Sequence, residues 1–129
     1  MTGPEIETAV AAYAAAARRA QVAGFDAVQL HGAHGYLINQ FLSPAVNRRQ
    51  DAWGGDFARR LHFLEAVCEA VRDAVGPEMP VFIKLGMADG IEGGLTPEMG
   101  RGVGSEWAGM GLDGVERGCG IGAGAMDTI

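Results

Sequence analysis

The 129-residue sequence is short of basic charge: ten Lys and Arg stand against sixteen Asp and Glu, a formal net charge of −6. The basic residues are scattered, and Arg48-Arg49 and Arg59-Arg60 are too short to form a phosphate-binding face, so no nucleic-acid partner is expected. Long apolar runs are missing too. None approaches the roughly 20 residues of a membrane span, and no basic segment followed by an apolar core opens the chain. Neither a membrane partner nor a signal peptide is therefore expected, which makes the cytoplasm the default location. Cysteine is scarce. Cys68 and Cys119 lie far apart at no metal or redox spacing, and Cys68 falls on an expected helix, where a buried free thiol is the ordinary state. Nucleotide-binding glycine signatures are also lacking: no Gly-x-Gly-x-x-Gly follows the first expected strand, and no Lys-Ser/Thr follows Gly54-Gly55, which therefore reads as turn geometry.

What is present is a globular composition, 48% hydrophobic and 20% charged, with room for one domain of modest size. Thr2 or Gly3 as cap, Pro4 at the first helical position and Glu5 and Glu7 near the positive end of the dipole open a helix over about 4–23. Ile6, Val10, Tyr13, Ala14 and Ala17 give it one apolar face, and Gly24 stops it. Residues 26–30 read as a strand, and 37–42 as a helical turn. Residues 43–56, with Pro44, Asn47 and Gly54-Gly55, read as a long ordered loop. A helix follows over 57–74 through Phe57, Leu61, Leu64, Cys68, Val71 and Val75, stopped by Gly76-Pro77. Then come a strand over 81–85 with a lone Lys84, a helix opened by Thr96-Pro97 with Met99, Val103, Trp107 and Met110 on one face, and a strand over 114–117. Gly100, Gly102 and Gly104 weaken that third helix, and glycine, 21 residues in all, is concentrated after residue 85 and in the tail from Gly118.

Helices alternating with strands too apolar for a solvated face predict an α/β fold with parallel strands, right-handed crossovers and burial on both sides of the sheet. The missing dinucleotide signature favours a (β/α)8 barrel over an open sheet. A barrel needs eight strands, so three visible βα units predict a single incomplete segment over 1–129, the middle of a partial TIM barrel. Barrel active sites gather at the C-terminal ends of strands. That places His31, His34, Tyr36 and the Lys84 region on one working face.

The stretch His31-Gly-Ala-His-Gly-Tyr36 puts two imidazoles and a phenol within six residues. Two imidazoles can aim donors at one oxygen and stabilise negative charge developing there. Tyr36 has a proton to give to a carbanion or enolate, and Lys84 can face a cofactor carrying negative charge. Such parts suit reduction of a polarised double bond, provided a nicotinamide or flavin delivers hydride, which side chains cannot. Blander readings remain open: structural histidines, a packing tyrosine, and a Lys84 that snorkels or pairs with Asp89. No third metal ligand lies at a familiar spacing, and His62 reads as a helix-surface residue, so no metal is expected.

The blocks Ala23-Gly-Phe-Asp-Ala-Val-Gln-Leu-His-Gly-Ala-His-Gly-Tyr-Leu37, Asn39-Gln-Phe-Leu-Ser-Pro44, Asn47-Arg48, Asp51 with Gly54-Gly55, and Arg60 with Phe63-Leu64 resemble the old yellow enzyme family. The likeness is specific over about 5–97, continues through residues 80–85 and 92–96, and fades in the last 30 residues. It implies a TIM barrel that binds FMN, is reduced by NADH or NADPH, and reduces the C=C bond of an α,β-unsaturated carbonyl compound. It further implies that His31 and His34 hold the substrate's carbonyl oxygen, that Tyr36 protonates the α-carbon, and that Lys84, at a position where the family usually has Arg, lies beside the flavin. A homo-oligomeric parent is compatible with it. Strands that complete the flavin site would lie outside this segment, so the isolated chain is expected to bind FMN poorly; the alternative is a truncated half-barrel with no activity of its own.

Overall fold

The structure is a computed structural model, and it describes residues 1–107 and 109–122. Helix α1 (Gly3–Val22) starts at Thr2, whose Oγ1 accepts the Glu5 N–H at 3.4 Å while Glu5 Oε2 accepts the Thr2 N–H at 2.6 Å. This reciprocal cap satisfies two amides that the helix cannot, and its hydrogen bonds hold the Glu5 carboxyl below the usual range. Strand β1 (Val28–Gly32) begins two residues later than the sequence pattern suggests, because pairing starts at Val28 opposite Val81. His31 therefore belongs to the strand, with its direction set by the pleat.

A short helix α2 (Leu37–Leu42) and the loop through Gly55 lead to α3 (Phe57–Val75), capped by Asp56, whose carboxylate accepts the Arg59 N–H at 3.0 Å. Gly76 ends α3 at φ +78°, a left-handed conformation natural to glycine. Strand β2 (Val81–Gly86), helix α4 (Pro97–Glu106) and strand β3 (Gly114–Gly118) complete the described chain. Helix α4 is shorter than its apolar spacing suggests: Trp107 is the cap and Met110 lies in the following turn, although both still pack on the core. Gly100 is required there rather than merely tolerated, since a Cβ would collide with the Met87 carbonyl.

The strands are parallel in the order β1-β2-β3, as alternating α and β elements require. Leu30, Val81, Ile83 and Leu85 join Ile6, Phe63, Leu64, Val67 and Val71 in one buried cluster. Within it Phe63 stacks on Phe41 with centroids 4.1 Å apart and meets Tyr13 edge-on at 6.4 Å. The expected two-sided burial is not found. The opposite sheet face carries Gln29, His31, Phe82, Lys84 and Glu116, none of them buried. Period-two alternation puts these residues on one side, and an arc of three strands leaves that side uncovered. Among the described residues no helix is long and apolar enough to cross a membrane. The tail from Gly118 is described to Gly122; Ala123, Gly124 and the rest lie outside the described residues.

Candidate active site

The register places His31 opposite Lys84 and Lys84 opposite Glu116, so one rung crosses all three strands. Lys84 Nζ donates to Glu116 Oε1 at 2.9 Å, and Gln29 Nε2 donates to Glu116 Oε2 at 3.0 Å. These bonds, Lys84's first, hold the Glu116 carboxyl below its usual range. Lys84 thus pairs with Glu116 and not with Asp89, the partner that sequence proximity suggested. The register decides this, because residues on one rung of a sheet lie closer than residues five apart on a chain leaving a strand.

Past β1 the chain turns sharply. His34 has φ +57° and Gly35 φ +78°, and His34 is the sole non-glycine residue with positive φ among the described residues. An L-residue adopts this conformation only when its surroundings enforce it. Here the His34 N–H donates to the Cys119 carbonyl at 3.0 Å, the Tyr36 N–H to the Ala33 carbonyl at 3.2 Å, and Gln40 Nε2 to the Gly35 carbonyl at 2.6 Å. The turn sets Tyr36 as the N-cap of α2 with its side chain outward, 60% exposed.

The three expected site residues come together. The His31 ring lies 5.3 Å from that of His34 at 78°, and 4.7 Å from that of Tyr36 at 44°. These spacings bring the two imidazoles and the phenol into one cluster on the exposed end of β1. Burial, reinforced by the charges of His34 and Lys84, pushes the His31 pKa below 6.5. The exposed His62 stacks on Trp53 with centroids 4.3 Å apart, its Nδ1 3.1 Å from the Ala52 carbonyl. Among the described residues no group of three or more His, Cys, Asp and Glu is placed to hold a metal.

Sequence reasoning did not assign roles to the polar residues beneath this surface. Asn39 and Ser43 are fully buried on α2 and its C-cap, and both reach Asp89 in the loop after β2. Arg60, 5% exposed, donates to the Leu42 and Gly55 carbonyls at 3.0 and 2.5 Å. The available signal was polar side chains on otherwise apolar helix faces, which are retained when they have partners.

The sequence profile of the NADH:flavin oxidoreductase / NADH oxidase family matches residues 1–100. The chain belongs to this family. It is 49% identical over 98 residues to the NADPH dehydrogenase of Clostridium acetobutylicum, a match covering 75% of this chain and 29% of that protein. The chain thus spans less than a third of that relative. Among solved structures, a 2-naphthoyl-CoA reductase complex superposes with TM-score 0.90 at 34% identity, covering 94% of this chain and 18% of the other. The old yellow enzyme homologue from Zymomonas mobilis superposes with TM-score 0.81 at 31% identity, covering 91% and 34%. The three parallel strands are accordingly an arc of a TIM barrel, and His31, His34 and Lys84 sit at or near the C-terminal ends of its strands.

The residues present fit one edge of a flavin. The Lys84 side chain, 30% exposed, stands on the open sheet face, where its ammonium is a cationic donor. Gly118 lies beneath it: a Cβ there would stand 3.3 Å from Lys84 Cε and 3.5 Å from Ala33 Cβ and His34 Nε2, so glycine leaves room for those side chains.

Proposed function

We propose that this chain contributes the carbonyl-binding and proton-donating side of an FMN-dependent NAD(P)H oxidoreductase that reduces the C=C bond of α,β-unsaturated carbonyl compounds. The observation that carries the reading is the convergence of His31, His34 and Tyr36 at the end of β1, beside Lys84. Bound FMN would supply hydride to the β-carbon, having taken it from NADH or NADPH. His31 and His34 donate hydrogen bonds to the carbonyl oxygen, and these strengthen as that oxygen gains negative charge. Tyr36 Oη gives its proton to the α-carbon from the outward position that the turn imposes. Lys84 holds the flavin edge, its charge moderated by Glu116.

The test replaces each imidazole in the flavin-loaded enzyme. His31→Ala and His34→Ala should each slow reoxidation of the reduced enzyme by cyclohexenone by about 10²–10³-fold, the effect of removing one oxyanion donor. Reoxidation by dioxygen, which needs no carbonyl site, should stay unchanged. Equal loss in both reactions would contradict the assignment.

A further inference from the structure

Beneath the three rings lies a buried polar chain. Asn39 is 0% exposed; its Oδ1 accepts the Gly35 N–H at 2.9 Å, and its Nδ2 faces Asp89 Oδ1 at 3.5 Å. The Asp89 carboxylate also accepts the Ile121 N–H at 2.8 Å, the Leu95 N–H at 2.7 Å and the Ser43 hydroxyl at 2.5 Å. Asp89 thereby ties the segment after β3 and the loop after β2 to α2, and Asn39 extends the tie to the backbone between His34 and Tyr36. Space around Asn39 is tight: a Cβ on Gly86 would come within 3.2 Å of Asn39 Oδ1 and 2.9 Å of Gly120 Cα.

We infer that Asn39 is a positioning residue for the carbonyl-reducing step, holding Gly35 so that His34 keeps its left-handed conformation and Tyr36 its outward one. The inference rests on the function proposed above. A left-handed His34 is unfavourable by itself, and the Gly35 N–H has its side-chain acceptor in Asn39. Without that acceptor the turn can relax toward ordinary φ, and both rings shift relative to His31, which the strand holds. A misplacement of about 1 Å is enough to slow a positioned step about 100-fold. Asp89 orients the amide: its carboxylate demands a donor, so Nδ2 faces Asp89 and Oδ1 faces Gly35.

The experiment uses flavin-loaded enzyme reduced chemically, and compares reoxidation by cyclohexenone with reoxidation by dioxygen. Asn39→Ala should slow the enone step by about 10- to 100-fold and leave the dioxygen step and flavin content unchanged. Its crystal structure should show His34 at negative φ. Asn39→Asp is the conservative variant: beside Asp89 the new carboxyl holds its proton, accepts from Gly35 and donates to Asp89, so at pH 6 it should keep most of the wild-type enone rate. Enone and dioxygen steps falling together, an Asn39→Asp enzyme as slow as Asn39→Ala at pH 6, or an unmoved His34 would each overturn the inference. If Asn39→Ala does not fold, Asn39→Asp decides alone: as it keeps an acceptor for the Gly35 N–H, its ratio of enone to dioxygen rate at pH 6 should stay near that of wild type with His34 left-handed, and a ratio lowered about 10-fold or more would overturn the inference. Tyr36→Phe separates the two proposals. A full enone rate in that variant defeats the proposed function, whereas the His34 conformation reports on Asn39 either way.

Discussion

Replacing Arg60 with Ala should destabilise the enzyme by about 2–4 kcal/mol, and the structure says where that figure comes from. Arg60 is 95% removed from solvent, and its fork bridges the Leu42 carbonyl at the end of α2 and the Gly55 carbonyl in the loop before α3. The guanidinium also touches Met99 sulfur at 3.8 Å and lies 6.0 Å from the Phe57 ring centroid. Truncation leaves two carbonyls without this partner, at about 1–3 kcal/mol each. Against this stands the relief of no longer burying a cation, the same burial that lowers the Arg60 pKa while Asp56 opposes the shift. Arg60→Lys keeps the charge but not the fork, so one carbonyl at most is recovered and an intermediate loss is expected. Urea unfolding followed by circular dichroism gives the stability from the midpoint at constant slope. A loss below about 1 kcal/mol for Arg60→Ala would refute the bridging role.

The electrostatics of the open sheet face can be tested at His31 and at the Lys84–Glu116 pair. In an NMR titration His31 should show a midpoint below 6.5, rising when His34→Asn removes the neighbouring imidazole's charge; a midpoint at or above 6.5 would contradict the geometry. Because the folded value lies below the unfolded one, protonation of His31 favours the unfolded chain, so its contribution to stability is fully present above pH 6.5 and is lost as the pH falls from 6.5 through the folded value. Lys84→Met should shift the flavin midpoint potential negative, since a cation beside the ring favours its reduced form, whereas Glu116→Gln should shift it positive by unmasking Lys84; shifts of the same sign would contradict a Lys84–Glu116 pair facing the flavin.

Much of this architecture is legible in the sequence because local signals and tertiary demands agree. Thr2-Gly-Pro-Glu5 announces α1, Gly76-Pro77 closes α3, and apolar period marks the faces of both helices. The rings of His31, His34 and Tyr36 could be placed together because they are close in sequence and follow a strand. Register was not legible: which residue meets Lys84 depends on alignment between strands more than thirty residues apart, and it gave Glu116 where sequence proximity offered Asp89. The open polar face is not legible from apolar content, because a strand's total does not separate its two sides. Asn39, Ser43 and Asp89 were hidden for a similar reason, since a buried polar chain shows only as isolated residues until the fold joins them.

The most direct measurement is stopped-flow kinetics of the Tyr36→Phe enzyme in its two half-reactions. With Tyr36 as the proton donor, reoxidation of the reduced enzyme by cyclohexenone should slow by about 10²–10⁴-fold, the usual contribution of a positioned acid. Reduction of the flavin by NAD(P)H should remain near the wild-type rate. Loss of both half-reactions together, or an undiminished enone step, would contradict the account.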